Sequence, residues 1–474
     1  MHVESTNARR RGAVKIAVTL AVLAGAGLAW SGFAGDAWPQ FRGPSGDGHS
    51  DATDLPLTWS ETENVKWKTP IPGQGWSSPV VLSNQVWMQT ALEEGKSLRA
   101  VCVALDSGKL VQNVEIFHVP APEPKHSLNS FASPTPVIEP GRLYVSFGLD
   151  GVACLDTAKG SLVWTNTELE HDHDKVGPGS SPIIYRDLFI LNCDGTRLRY
   201  VAALDKRTGK LVWKTSRSNP LLDKTAPERK AFSTPQVILH EGREQLISEG
   251  AFRVGSYEPG TGKELWWVDI PGFSNVPRPL YGQGLVYVCT GFAPAQLFAI
   301  RPDGLGDTTR THVAWKVKQQ VSLKPSLLLV GGELYMVSDT GVASCLDART
   351  GREHWHQRIG GESSASPAYA DGRIYFFDQQ GQTTVVAPGT NFSALATNKL
   401  DGGFMASPAV VGQAIIVRTK THLYRIENQS HTARRPAGRP TRSARTMRAP
   451  GPPVPWPWLA SPFAQRPGNR SFCV

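Results

Sequence analysis

The chain has 474 residues, 46 of them glycine and 36 proline, with a formal net charge of +9. That charge is uneven: the first 35 residues carry +3 and the last 45 carry +8 with no acid, leaving −2 for the stretch between them. A near-neutral middle excludes a basic nucleic-acid surface spread over the fold, and the Gly and Pro content favours strands and turns over long helices.

Residues 1–34 read as an export signal. Arg9-Arg10-Arg11 and Lys15 precede an apolar run over 16–30, and Gly32-Phe33-Ala34 offers small residues for cleavage. The expected location is therefore periplasmic or secreted, with membrane contact only through this segment if it stays uncleaved. No cysteine follows the run at a lipidation position. Residues 35–63 hold Trp38-Pro39-Gln40-Phe41-Arg42-Gly43-Pro44-Ser45-Gly46-Asp47-Gly48, too rich in Gly and Pro for a helix or a long strand. We expect an extended strap.

The organising stretch is 180–215. Apolar runs at 183–185, 188–191, 200–204 and 210–213 are separated by Arg186-Asp187, Asp194-Gly195 and Thr208-Gly209, which predicts four short antiparallel strands. Asp205 is placed to accept turn N–H groups, Gly209 to supply a positive φ, and Trp213 to cover the next sheet. One such sheet has two bare faces and needs copies of itself.

The copies are present. Ser78-Pro79, Ser133-Pro134, Ser181-Pro182, Ser366-Pro367 and Ser407-Pro408 open similar units, with Thr234-Pro235, Arg278-Pro279 and Lys324-Pro325 as variants. Spacings of 41–55 residues are those of propeller blades. Eight starts imply eight blades. The last unit has room for three strands only, and Asn64-Val65-Lys66-Trp67-Lys68 upstream is a lone strand carrying the Trp of the outer position. The expected fold is all-β: an eight-bladed β-propeller of four-stranded antiparallel blades over 64–429, closed by an N-terminal strand. Closure of this kind removes the open edge.

The unit ends recur as Asp156…Gly160…Trp164, Asp205…Gly209…Trp213, Gly262…Trp266 and Asp347…Gly351…Trp355, with Gln112 where a Trp is expected after Asp106…Gly108. Together with the strap, this Asp-x-x-Thr-Gly-Lys-x-x-Trp ending resembles PQQ-like repeat β-propellers of the quinoprotein alcohol dehydrogenase-like superfamily, from about Trp38 to Glu427. That superfamily includes quinone-dependent dehydrogenases and a non-enzymatic lipoprotein that assists outer-membrane protein assembly. For a dehydrogenase the resemblance implies an adjacent cysteine pair, a stacking Trp, and calcium held by carboxylate and Asn. No two cysteines here are adjacent. No cofactor is therefore expected, PQQ remaining the one the family could supply.

Cys102, Cys154, Cys193, Cys289 and Cys345 fall at strand positions of separate repeats, too far apart to bridge, and read as small core residues. His171-Asp172-His173-Asp174 is the densest ligand-like cluster, but without a third placed ligand it reads as a solvated acidic loop. No metal site and no catalytic residue is assigned. The residues just before the blade starts should rim one end of the channel: Trp76, Phe131 and Phe232, with Phe404 and Met405. The cations Arg253, Arg278 and Lys324 are expected to make that rim a funnel for an acidic ligand, Glu249 being a candidate partner for them. The expected partners are an envelope protein, a peptide or a small anionic ligand in the channel, and no nucleic acid. The expected function is an exported, non-catalytic binding or assembly scaffold of the cell envelope. The alternatives are a divergent PQQ-dependent oxidoreductase and a polysaccharide-active enzyme. Residues 430–474, rich in Arg and Pro, have the composition of a disordered tail.

Overall fold

The computed structural model describes residues 36–429 except 174, 293 and 294. The export segment and the basic tail lie outside the described residues. Within them the strands form eight sheets, and the helical turns are three short 3-10 pieces at Glu93–Gly95, Gly148–Asp150 and Ala226–Arg229.

Blade 3 follows the expected unit, with strands Ile183–Tyr185, Leu188–Asp194, Arg199–Asp205 and Leu211–Ser216 paired antiparallel in sequence order. The other blades repeat it. Blade 8 is built from Ala409–Val411, Ala414–Arg418 and His422–Glu427, and Val65–Pro70 supplies its outer strand. The ring is closed as the lone upstream strand implied.

Inner strands are buried on both faces because each blade is covered by two neighbours; Val80–Leu82 and Leu285–Cys289 are buried throughout. Outer strands such as Val65–Pro70 alternate between half-buried and exposed. The core therefore lies between blades. Ile190, Ala203 and Trp213 of blade 3 pack with Leu246 and Tyr257 of blade 4 in one such cluster.

The repeated Trp and Gly hold consecutive blades together. Trp164 Nε1 donates to Lys206 O of the next blade at 2.9 Å, and a Cβ on Gly209 would stand 2.5 Å from the indole. Trp67, Trp213, Trp315 and Trp355 dock in the same way. The glycine is needed twice over, for a φ of +71° and for the indole's approach. Gln112 fills the same role by its amide, donating to Thr157 O at 2.7 Å. The turn carboxylates act as expected: Asp205 Oδ1 accepts from Arg207 N, Thr208 N and Thr208 Oγ1.

Two features were not read from the sequence. Each outer strand carries a bulge just before the docking position, as between Leu211 and Trp213, which aims the side chain at the next blade. In blade 7 that position is Ala396, and Trp59 of the N-terminal segment stacks on Tyr375 instead, 6.3 Å between ring centroids. Tyr335 meets its own blade's Trp355 at 6.1 Å in the equivalent place.

Candidate functional site

The strap closes one end of the central channel. It starts on blade 1, where Trp38 and Val81 exchange two 2.8 Å backbone hydrogen bonds, and Pro39 O accepts from Ile138 N of blade 2. It then crosses to blade 4, where Gln236 Nε2 donates to Ser45 O. It ends on blades 7 and 8, through Tyr369 N to Gly48 O and Ser50 Oγ to Val410 O. Positive φ at Arg42, Gly43, Gly46 and Gly48 provides the bends.

Arg42 and Arg278 are buried beneath this strap, 2% and 3% exposed. Arg42 donates to Leu327 O at 2.5 Å, Asp47 O at 2.6 Å and Pro367 O at 3.1 Å. Arg278 donates to Phe41 O at 2.7 Å and Pro235 O at 3.2 Å. Burial pushes the Arg42 guanidinium down to about 10, opposed by Asp47. Arg278 goes down to about 9 through burial, reinforced by Arg42.

The other end opens into a cavity of about 390 Å³. Its mouth is largely apolar, formed by Trp76, Leu128, Val176, Phe232, Val276 and Met405, and Phe41 of the strap also reaches it. Lys324 and Asp339 lie on the wall as an ion pair at 3.1 Å.

Around the cavity runs a belt of hydroxyls. The backbone N–H at each blade start donates to the hydroxyl at the next: Ser78 to Thr135, Thr135 to Ser181 and Ser181 to Thr234, at 2.9–3.0 Å. The chain of bonds continues from Arg278 through Ser326, Ser366 and Ser407 back to Ser78, at 2.9–3.1 Å. Only Arg278 has no hydroxyl to offer. The belt also corrects the register of two starts. Thr135-Pro136 and Ser326-Leu327, not Ser133-Pro134 and Lys324-Pro325, occupy the belt in blades 2 and 6.

Of the residues expected at the rim, the cavity gathers Trp76, Phe232, Lys324 and Met405. It does not gather Phe131, Arg253 or Arg278. Phe131 turns back onto blade 1, where its ring covers Gly95 beneath Lys125 Nζ. Arg253 is held at the blade's outer side by Asp269 at 2.6 Å, Ser218 at 2.5 Å and the Trp267 ring. Arg278 and Lys324 are not equivalent, because Lys324 precedes the belt by two residues while Arg278 occupies it and runs under the strap. Phe404 is buried edge-on against Phe377. Glu249 partners none of these cations, and neither of its buried carboxylate oxygens is hydrogen-bonded.

His171 and His173 are buried rather than solvated, their rings 3.9 Å apart, with His173 stacked on the back of Phe232. Burial holds the His171 imidazole down to about 4 against the pull of Asp172. Among the described residues no group of three or more His, Cys, Asp or Glu side chains could hold a metal. The five described cysteines are free and buried. Among the described residues, the carboxylate on the cavity wall, Asp339, is already paired with Lys324. This donor set does not fit a quinone held with calcium.

The belt hydroxyls were the part missed. Their signal was a Ser or Thr at every blade start but one, which in the sequence served only to mark the opening of each unit.

Eight four-stranded blades joined by docked indoles define a PQQ-like repeat β-propeller. Residues 99–266 and 307–390, more than half of the chain, match the family described as outer membrane protein assembly factor BamB, and the chain belongs to that family. No curated protein matches the chain. Among solved structures it is similar to BamB from Moraxella catarrhalis, at 13% identity and a TM-score of 0.54, over 76% of this chain and 99% of that one. A europium-containing methanol dehydrogenase matches at 11% identity and a TM-score of 0.50, over 82% and 90%. The computationally designed protein Ika8 matches at 12% and 0.54, over 76% and 99%. An assembly factor, an enzyme and a design share this fold, so the fold alone does not select the function.

Proposed function

We propose that this protein is an exported, non-catalytic propeller that serves as a binding or assembly scaffold in the cell envelope, holding a peptide or small ligand at its channel mouth. The observation that carries the reading is the asymmetry of the channel: one end is sealed by the strap, the other opens through an apolar mouth. A concave apolar site with a few polar groups at its base is the usual form of a binding pocket. The export segment at 1–34 and the family's description support the envelope location.

The test has two arms. A photo-reactive residue replacing Trp76 should trap a discrete envelope component in cells, whereas the same residue at the exposed Leu222 should not. Purified protein titrated with pyrroloquinoline quinone and calcium should show no alcohol- or sugar-dependent dye reduction. Saturable quinone binding with such reduction would overturn the scaffold in favour of an oxidoreductase.

A further inference from the structure

Seven belt residues accept a backbone N–H through their hydroxyls: Ser78, Thr135, Ser181, Thr234, Ser326, Ser366 and Ser407. Among the described residues, none of the seven hydroxyl protons has an acceptor. Six of these residues, all but Ser326, line the cavity. A hydroxyl that already accepts a hydrogen bond is polarised into a better donor. The cavity floor is thus a ring of O–H donors without partners.

The ring has one break. Arg278 takes the eighth place, so among the described residues the Thr234 N–H, which would donate to a hydroxyl there, meets no acceptor. The charge around the belt is positive. Arg42 and Arg278 bind carbonyls of Pro235, Leu327 and Pro367, each one residue past a belt position. Arg418, 2% exposed, donates to Ser77 O and Gln89 O beside Ser78. Of these three buried guanidinium groups, only Arg42 and Arg278 feel a carboxylate, that of Asp47. Buried cations without counter-charges are costly, and an anion nearby offsets that cost. The Lys324–Asp339 pair is neutral as a unit, and His171 and His173 are held uncharged by burial.

From this geometry we infer that the channel floor is a carboxylate-binding site. It takes a small organic monoanion whose oxygens accept from the belt beside the Arg278 break and whose apolar body fills the mouth at Trp76 and Phe232. The inference rests on the reading of the channel as a binding site and adds the chemical class of the ligand. Neutral hydroxyl and amide donors set over buried, indirect positive charge suit a monoanion better than a strongly hydrated phosphate dianion. The apolar mouth asks for a hydrocarbon body.

Calorimetric titration of the full chain with benzoate, benzyl alcohol and inorganic phosphate tests this. Benzoate is expected to bind one-to-one, at least about tenfold tighter than either of the others, the weight of one hydrogen bond to a charged group. Arg278→Ser completes the belt, gives the Thr234 N–H an acceptor and removes a charge. It should lower benzoate affinity by about tenfold or more and leave benzyl alcohol unchanged. Thr234→Val should do the same; if it fails to fold, Arg278→Ser still decides. Benzyl alcohol bound as tightly as benzoate would overturn the inference while leaving the channel a ligand site. Phosphate bound more tightly would overturn the assigned class, and Arg278→Ser binding benzoate like the parent would overturn the placement. If no ligand binds while the Trp76 cross-link persists, the scaffold stands and the carboxylate site falls.

Discussion

The arc of blades running from 6 through 8 to 3 and the seam between blades 4 and 5 are built by different rules. Along the arc the belt is continuous, and Trp67, Gln112, Trp164 and Trp355 each bond a backbone carbonyl of the following blade. At the seam the belt breaks at Arg278. Trp266 turns to Gln245 of its own blade at 2.7 Å, and Gly306–Asp307 of a longer turn pairs in parallel with the outer strand Glu264–Asp269. The unpartnered carboxyl of Glu249 lies here too. The repeat suffices to close a ring.

The largest expected effect breaks the arc itself. Deleting Val65–Pro70 removes the outer strand of blade 8 and bares the edge of His422–Glu427. Soluble monomer should be lost to aggregate in size-exclusion chromatography; a stable monomer would mean the ring does not depend on that strand. Next, Gly209→Ala places a methyl group into the Trp164 indole at a φ of +71°, and should cost about 3 kcal/mol or more in denaturant unfolding. Gly260→Ala, in a turn of blade 4 with nothing within 4 Å, should stay within about 0.5 kcal/mol. Equal effects would show that docking does not hold the arc together.

A smaller effect belongs to the seam and to pH. Burial holds the Glu249 carboxyl well above the usual range, against the opposing pull of Arg217. The unfolded chain releases this proton near a pKa of about 4.3 while the folded chain keeps it, so this contribution to stability declines as pH rises above that value. Glu249→Gln removes the linkage, and its melting temperature relative to the parent should climb from pH 5 to pH 8. A difference constant across that range would refute a buried, protonated Glu249. His171, depressed to about 4, acts in the opposite sense: its contribution is present above about 6.5 and is lost as pH falls toward 4. The smallest effect is expected from removing residues 430–474. All four strands of blade 8 lie before them, so the melting temperature should move by less than about 2 °C. A large fall would mean that the ring needs the tail.

Much of the fold was legible because a propeller repeats itself. A Trp four residues after a Gly, seen once, is noise; seen at Trp164, Trp213, Trp266 and Trp355 it gives both period and strand order. Gln112 was the informative miss. Its amide reaches the carbonyl that an indole would reach, so a degenerate position kept its bond with another donor. The site was less legible. Trp76, Phe232 and Lys324 line the cavity, where rim loops following from blade order would put them. Arg278 was misplaced because a side chain with four torsions can run to either end of the channel from one backbone position.

The sequence by itself determined the number of blades, their starts to within two residues and the strand that closes the ring, because periodic burial and turn chemistry are local and recur. Only the tertiary structure decided which hydroxyls join into a belt, where that belt is broken, and that the strap seals one end over two buried arginines. Those relations link residues as far apart as Arg42 and Pro367 or Ser78 and Ser407. No local pattern encodes them, since each arises from closing eight blades into a ring.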